Sequence, residues 1–194
     1  MLLAIDASTS ITSWATQSKD GTITEFFLKD RASSALAASL QKHRDLLTEV
    51  EEIIVGVGPG SFSGIRVAVA TAQGLSTVWN ASIRGVRSSN ALAWKMKHVS
   101  YLGVFADARR HQYFFTPYKE GALIEPTQVL DTKLLEDYLS KCSLAISAEK
   151  DANIPESVSL SAGDLIRHDC NFGPEKKSLI LEPIHLRPSI TLKK

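Results

Sequence analysis

The sequence predicts an α/β protein built twice from one pattern, and three observations carry that expectation. An apolar strand ending in aspartate opens the chain, Leu2-Leu3-Ala4-Ile5-Asp6, and a second one, Tyr101-Leu102-Gly103-Val104-Phe105-Ala106-Asp107, opens its second half. Each is followed by hairpin signals, Lys19-Asp20-Gly21-Thr22 in the first half and Glu120-Gly121 in the second. Strands joined by hairpins then give way to helix–strand alternation, which implies a mixed sheet flanked by helices.

Taken in order, residues 2–5, 11–18 and 22–28 read as strands, with the turn Asp6-Ala7-Ser8-Thr9-Ser10 after the first. Residues 31–48 read as a helix, 52–57 as a strand, 63–79 as a helix, 82–86 as a strand and 88–97 as a helix. In the second half, 101–106, 112–118 and 122–130 read as strands. Residues 131–140 read as a helix capped by Asp131, with shorter elements at 143–147, 157–160 and 161–168. The predicted boundary lies where Lys95-Met96-Lys97-His98 breaks the apolar pattern, giving halves 1–98 and 99–194.

With 194 residues, 44% of them apolar, the chain can bury a sizeable core. Its 22 basic and 21 acidic residues nearly cancel, so no global field draws it to nucleic acid or membrane. Cys142 and Cys170 lie far apart without metal-ligand spacing, which argues against a disulfide framework or zinc site. No basic leader or long apolar run precedes or interrupts the pattern, so a soluble, cytoplasmic protein with no signal peptide or membrane span is expected.

The run Ile53 to Ala68, with Gly56, Gly58, Pro59, Gly60 and Gly64, reads as strand, tight turn and helix. Such a turn serves the close approach of a ligand, another backbone or another chain. Its spacing fails the phosphate motifs. Ser61 stands where the third glycine of Gly-x-Gly-x-x-Gly would fall, and no lysine occurs between Lys42 and Lys95 to complete a Walker loop. Ser61 also lacks the flanking glycines of a nucleophile elbow, since Pro59 and Ser63 occupy those places. The two hydroxyls serve better as helix caps, Ser63 for the first turn.

Several stretches resemble the TsaB family, also called YeaZ: the opening Leu2 to Ser10, Gly56 to Val67 with the following Ala70-Thr71-Ala72-Gln73-Gly74-Leu75, Val86 to Ala93, and Asp107-Ala108-Arg109-Arg110 with Tyr113. Glu182-Pro183-Ile184-His185-Leu186-Arg187-Pro188 is similar to the family's Pro-x-Tyr-x-Arg ending, with His185 in place of tyrosine. The resemblance implies a duplicated actin/Hsp70-like fold (ASKHA, ribonuclease H-like) of βββαβα domains, with a shortened second domain. It also implies a non-catalytic, dimerising scaffold in the tRNA N6-threonylcarbamoyladenosine transferase complex. The implied partners are the catalytic paralogue TsaD and the ATPase TsaE, or a second copy of the chain, with tRNA met only through the complex.

The residues agree with a chain that does no chemistry of its own. An ATPase of this fold needs glycine amides at a phosphate loop in each half. The first turn lacks the usual glycine, the second carries Arg109 and Arg110, and no Gly-Gly occurs. Asp6 and Asp107 read as strand-end residues fixing their turns. Residual phosphate contact by Asp6, Ser8, Thr9, Arg109 and Arg110 stays open, since arginine suits phosphate. His43, His98, His111, His168 and His185 form no His-x-x-x-His pair, so no metal or other cofactor is expected.

Binding remains. Ile65, Ala68, Val69, Ala72, Leu75, Ser76 and Trp79 share one helical face, with small Ala70, Thr71 and Gly74 beside it. The 31–48 helix is similar, with Ala35, Leu36, Ser39, Leu40 and Leu47 beside Ala32, Ala37 and Ala38. Residue pattern alone leaves open whether both helices are merely sandwiched within the fold. The resemblance favours a partner interface of Ala35, Leu36, Ala38, Leu40, Ile65, Ala68, Val69, Ala72, Leu75 and Ser76. Two other classes stand as alternatives: a small-molecule kinase of this fold or an M22-like metallopeptidase, and direct tRNA binding by Arg84, Arg87, Arg109, Arg110 and the basic tail Arg187–Lys194.

Overall fold

The computed structural model describes residues 1–28 and 32–172; Arg31, the Glu182–Pro188 motif and the basic tail lie outside these residues. The first sheet comprises β1 (Leu2–Asp6), β2 (Thr12–Gln17), β3 (Ile23–Leu28), β4 (Glu52–Gly56) and β5 (Ser82–Val86), in the order β3-β2-β1-β4-β5. The pairs β1–β2 and β2–β3 are antiparallel, while β1–β4 and β4–β5 are parallel. The second sheet holds β6 (Leu102–Asp107), β7 (Gln112–Lys119), β8 (Ala122–Leu123), β9 (Gln128–Asp131), β10 (Leu144–Ser147) and β11 (Glu156–Ser157). There β9 and β6 pair antiparallel with β7, and β6–β10 and β10–β11 are parallel. The order β9-β7-β6-β10-β11 repeats that of the first sheet, so the duplication is a repeat of topology.

Among the described residues there are five α-helices: α1 (Ala32–Lys42), α2 (Phe62–Trp79), α3 (Ser88–Lys95), α4 (Leu135–Lys141) and α5 (Ala162–Phe172). The crossover between β4 and β5 carries α2. The corresponding crossover between β10 and β11 has no helix, and this is where the second half is shortened.

Strand periodicity divides the core. Leu3, Ile5, Trp14, Ile53 and Val55 face α1 and α2, while their neighbours Ala4, Ala15 and Ile54 face the other way, into the layer between the sheets. That middle layer is α3 and α5, and each helix lies against the opposite half: α3 on β6 and β8, α5 on β1, β2 and β4. Leu92, Leu102, Tyr118, Ile146, Leu165 and Ile166 are buried there together. The connection 96–101 separates the sheets, yet the halves share this core. On the far side, Phe105, Phe115, Leu130 and Leu135 form a third cluster under α4.

Ion pairs hold α5 in place. Arg84, 2% exposed on β5, grips both carboxylate oxygens of Asp169 and also pairs with Glu52 at 2.6 Å. Arg167 pairs with Glu25 at 2.5 Å, and Ser161 and Asp164 exchange bonds as a capping box at the helix start. Arg84 is therefore a core residue and is unavailable to RNA; Arg87 donates to Thr127 Oγ1 at 2.8 Å.

Several boundaries differ from expectation for local reasons. The first helix stops at Lys42 and tightens into a 3-10 turn over Arg44–Leu47. The expected strand 122–130 breaks into β8 and β9 around Glu125-Pro126, where proline has no amide for the ladder. Asp131 does cap, accepting from the Lys133 amide at 3.0 Å, but it caps a 3-10 turn ahead of α4.

Candidate functional site: closed turns and an open helical face

The two turns at which a phosphate contact stayed open sit at the ends of β1 and β6. Asp6, 1% exposed, accepts from the Ser8 amide at 2.9 Å, from Ser8 Oγ at 2.7 Å and from Ser88 Oγ at 2.7 Å. Burial pushes its carboxyl above the usual carboxylate range, opposed by the bonds from Ser88 and Ser8. Ser88 lies at the start of α3, where its Oγ also accepts from the Gly58 amide at 3.2 Å and its own amide donates to Gly58 O at 2.8 Å. The strand-end aspartate thus knits three segments that are distant in sequence.

The glycine run completes the knot. Only glycine fits Gly60 and Gly64, because a Cβ there would stand 2.1 Å from Ser8 O and 2.0 Å from Ala7 O. A Cβ on Gly56 would stand 1.8 Å from Asp6 Oδ2. Of the three readings of this turn, the structure realises close approach to another backbone, and that backbone is the chain's own first turn. The Ser61 amide donates to Ser8 O at 2.7 Å. Of the two hydroxyls expected to cap, Ser61 does so, its Oγ accepting from the Gly64 amide at 3.3 Å, while Ser63 is exposed one residue inside α2.

The second turn repeats the first only in part. Asp107 accepts from the Arg109 amide at 2.6 Å, as Asp6 does from Ser8, but it is solvent-exposed and pairs with the Arg109 guanidinium at 2.9 Å. Arg109, Arg110 and His111 all take left-handed backbone, at φ 61°, 56° and 58°. Glycine adopts that conformation freely, whereas side chains pay about 1 kcal/mol or more each. Asp6 bonds to Ser8 and Ser88 while Arg109 pairs with Asp107, and Thr9 Oγ1 turns back to Ile11 O at 2.9 Å. Of the five residues for which a phosphate contact stayed open, Asp6, Ser8 and Thr9 thus stand at the first turn and Arg109 and Arg110 at the second.

Two of the histidines serve packing. His43 Nδ1 lies 2.9 Å from Ser39 O with its ring against Phe26 and Trp14, and His168 is buried in α5. Among the described residues, no group of three His, Cys, Asp or Glu is placed to hold a metal ion, and no helix is long and apolar enough to cross a membrane.

The anticipated interface splits in two. Leu36, Leu40, Ile65, Ala68, Val69 and Ala72 are buried against the first sheet, because the wide apolar stripe of each helix faces the core. These six are corrected to core residues. Ala35, Leu75 and Ser76 are half-buried, Ser76 Oγ donating to Ala81 O at 2.7 Å, and Ala38 is exposed. What α2 presents outward is a second stripe, Phe62, Arg66, Ala70, Gly74 and Val78, one residue per helical turn. Phe62 is 54% and Val78 79% exposed, the Arg66 guanidinium lies 5.2 Å from the Phe62 ring centre, and the space at Gly74 is open. Phe62 and Val78, apolar yet outside the first stripe, were the overlooked sequence signal.

The repeated sheet order and the layered helices between two sheets define a protein of the duplicated actin-like α/β class, with turns closed by its own side chains. The family described as TsaD, tRNA N6-adenosine threonylcarbamoyltransferase, matches residues 28–156, more than half of the chain. The chain belongs to the TsaB (YeaZ) branch of that family. It is 31% identical over 147 residues to the tRNA threonylcarbamoyladenosine biosynthesis protein TsaB of Bacillus subtilis, covering 71% of this chain and 64% of that one. To TsaB of Escherichia coli it is 28% identical over 127 residues, covering 61% and 54%. The match spans between 37% and 64% of the first curated relatives' length. The solved structure of YeaZ from Pseudomonas aeruginosa shares the fold, with a TM-score of 0.68 at 22% identity over 86% of this chain and 89% of that one.

Proposed function

We propose that this protein is a non-catalytic scaffold subunit in the biosynthesis of N6-threonylcarbamoyladenosine in tRNA. It docks through the outer face of α1 and α2 onto a TsaD-type catalytic partner, with a TsaE-type ATPase as a further member, and tRNA is met only through the assembly. The observation that carries this reading is the α2 stripe from Phe62 to Val78, apolar or small except for Arg66, on the solvent side of a helix whose other face is already filled. Small residues at Ala70 and Gly74, with Ala37 and Ala38 exposed on the adjoining α1, admit a partner helix at close distance. The filled turns support the non-catalytic part, since the amides of Ser8 and Ser61 end on oxygens of the chain itself.

The test is co-purification with the TsaD-type relative from the same cell. Gly74→Arg and Ala38→Glu change only exposed positions, and they should abolish the complex while leaving the isolated chain folded, the Gly74 variant melting no lower than the parent. A complex that survives both removes the α1–α2 interface. Steady ATP turnover by the pure chain, lost on Asp6→Ala, would replace the scaffold reading with the kinase one.

A further inference from the structure

The acids of this chain are unevenly placed. No Asp or Glu occurs from Ile53 to Ala106, a stretch that carries Arg66, Arg84, Arg87, Lys95 and Lys97, and none occurs from Arg31 to Arg44. Neither α1 nor α2 therefore holds a carboxylate, and Arg66 is the one charged residue in the 18 of α2.

Folding answers that imbalance differently at different cations. Arg84 meets Glu52 and Asp169 in the core, and Lys95 meets Asp164 on α5 at 3.1 Å, so both are neutralised by acids distant in the chain. Arg66 is not. Among the described residues no carboxylate forms an ion pair with it, and its guanidinium rests over the Phe62 ring, 5.2 Å from the centre. It stands on the outward stripe one turn from Phe62 and one turn from Ala70, with Gly74 and Val78 beyond. A partner that covers the Phe62 ring meets the cation lying on it. The small residues Ala70 and Gly74 admit a facing helix closely, which leaves the long side chain little room to reach water. Taking a guanidinium out of water is costly unless an anion receives it.

We propose that the partner's facing helix brings a carboxylate to Arg66, and that this pairing makes the α1–α2 face select a different chain over a second copy of its own. Two copies joined through this face would set Arg66 and Lys42 of each against helices that hold no acid, and like charges brought together oppose the contact. The first acid past α1, Asp45, is exposed and lies 3.8 Å from Arg44 Nε. A chain with Asp or Glu opposite Arg66 receives the guanidinium fork on two oxygens. This inference rests on the docking face proposed above and adds the charge that its occupant carries.

The experiment compares two equilibria of the full-length chain: binding to the purified TsaD-type relative by titration calorimetry, and self-association by sedimentation equilibrium. Arg66→Lys, Arg66→Met and Arg66→Glu alter an exposed side chain, and circular dichroism checks that each variant is folded. Partner binding should fall about tenfold or more in Arg66→Met, which leaves the partner's carboxylate unpaired, and further in Arg66→Glu. Arg66→Lys, which keeps the charge and loses the fork, should stay nearest to the parent. Self-association of the parent should be the weaker equilibrium, and Arg66→Met, which removes the like charge from both copies, should not loosen it. A parent dimer tighter than the partner complex, or one loosened by Arg66→Met, would overturn the proposal, as would partner binding unchanged in Arg66→Met and Arg66→Glu. Gly74→Arg separates the two possible failures. If it abolishes the partner complex while the Arg66 variants bind like the parent, the face stands and its charge selectivity falls. If it leaves the complex intact, the face falls and this inference with it.

Discussion

Gly64→Ala is a one-methyl change with a large expected effect, because the methyl has nowhere to go. Its Cβ would stand 2.0 Å from Ala7 O and 3.1 Å from the Ala7 carbonyl carbon, both backbone atoms that no rotamer change can move. Relieving the clash requires the start of α2 and the first turn to part by more than about 1 Å. That separation stretches the 2.7 Å bond from the Ser61 amide to Ser8 O beyond hydrogen-bonding distance. Overpacking costs about 2 kcal/mol and the lost bond about 1 kcal/mol, for a total of about 3 kcal/mol. In a chain of this size that lowers Tm by roughly 6–12 °C. Gly74→Ala is the control on the same helix: nothing lies within 4 Å of its Cβ, and alanine in a helix interior gains about 1 kcal/mol over glycine, or roughly +2–4 °C. Thermal and urea unfolding followed by far-UV circular dichroism measure both. A Gly64→Ala protein melting with the parent would refute the packing of the glycine run on the first turn.

Three further outcomes are expected. Arg84→Met leaves the Asp169 carboxylate without its bidentate partner in the core and should destabilise by about 3–5 kcal/mol in urea, with Arg84→Lys intermediate because ammonium cannot grip both oxygens. Burial works against ionising Glu25, but bonds from Ser161 and Arg167 and the Arg167 charge outweigh it and hold the carboxyl below its usual range. A depressed carboxyl contributes stability above its unfolded pKa and loses it as pH falls through the folded one. The stability difference between parent and Glu25→Gln should therefore be present at pH 6 and vanish in acid below the ordinary glutamate range near 4.5; a difference unchanged across that window would contradict the pairing. Arg110→Gly should raise stability by about 1 kcal/mol, since glycine takes left-handed backbone without strain; a loss would show that the arginine side chain repays its conformation.

The strand-end aspartates, the hairpins and the order of elements were legible because they depend on local pattern. Alternating burial in Leu3, Ala4 and Ile5, the turn signal at Asp20-Gly21, and the stripe spacing in α2 are written at intervals of two to four residues. Periodicity also showed that α2 has two kinds of face. It could not say which face the sheet takes, and the wider apolar stripe went inward, leaving Phe62, Arg66, Ala70, Gly74 and Val78 outside.

What the sequence by itself determined is the duplicated α/β architecture, the failure of its glycine run as a phosphate motif, and the family to which the chain belongs. Tertiary structure alone decided what that run is for. The Gly60–Ser8 and Gly64–Ala7 approaches, the Ser88 bond to Asp6, and Glu149 on the Ser10 amide join residues between 52 and 139 positions apart, as does Arg84 to Asp169 at 85. Such pairs leave no periodic trace in a single chain, because their partners are chosen by where the sheets bring strand ends together.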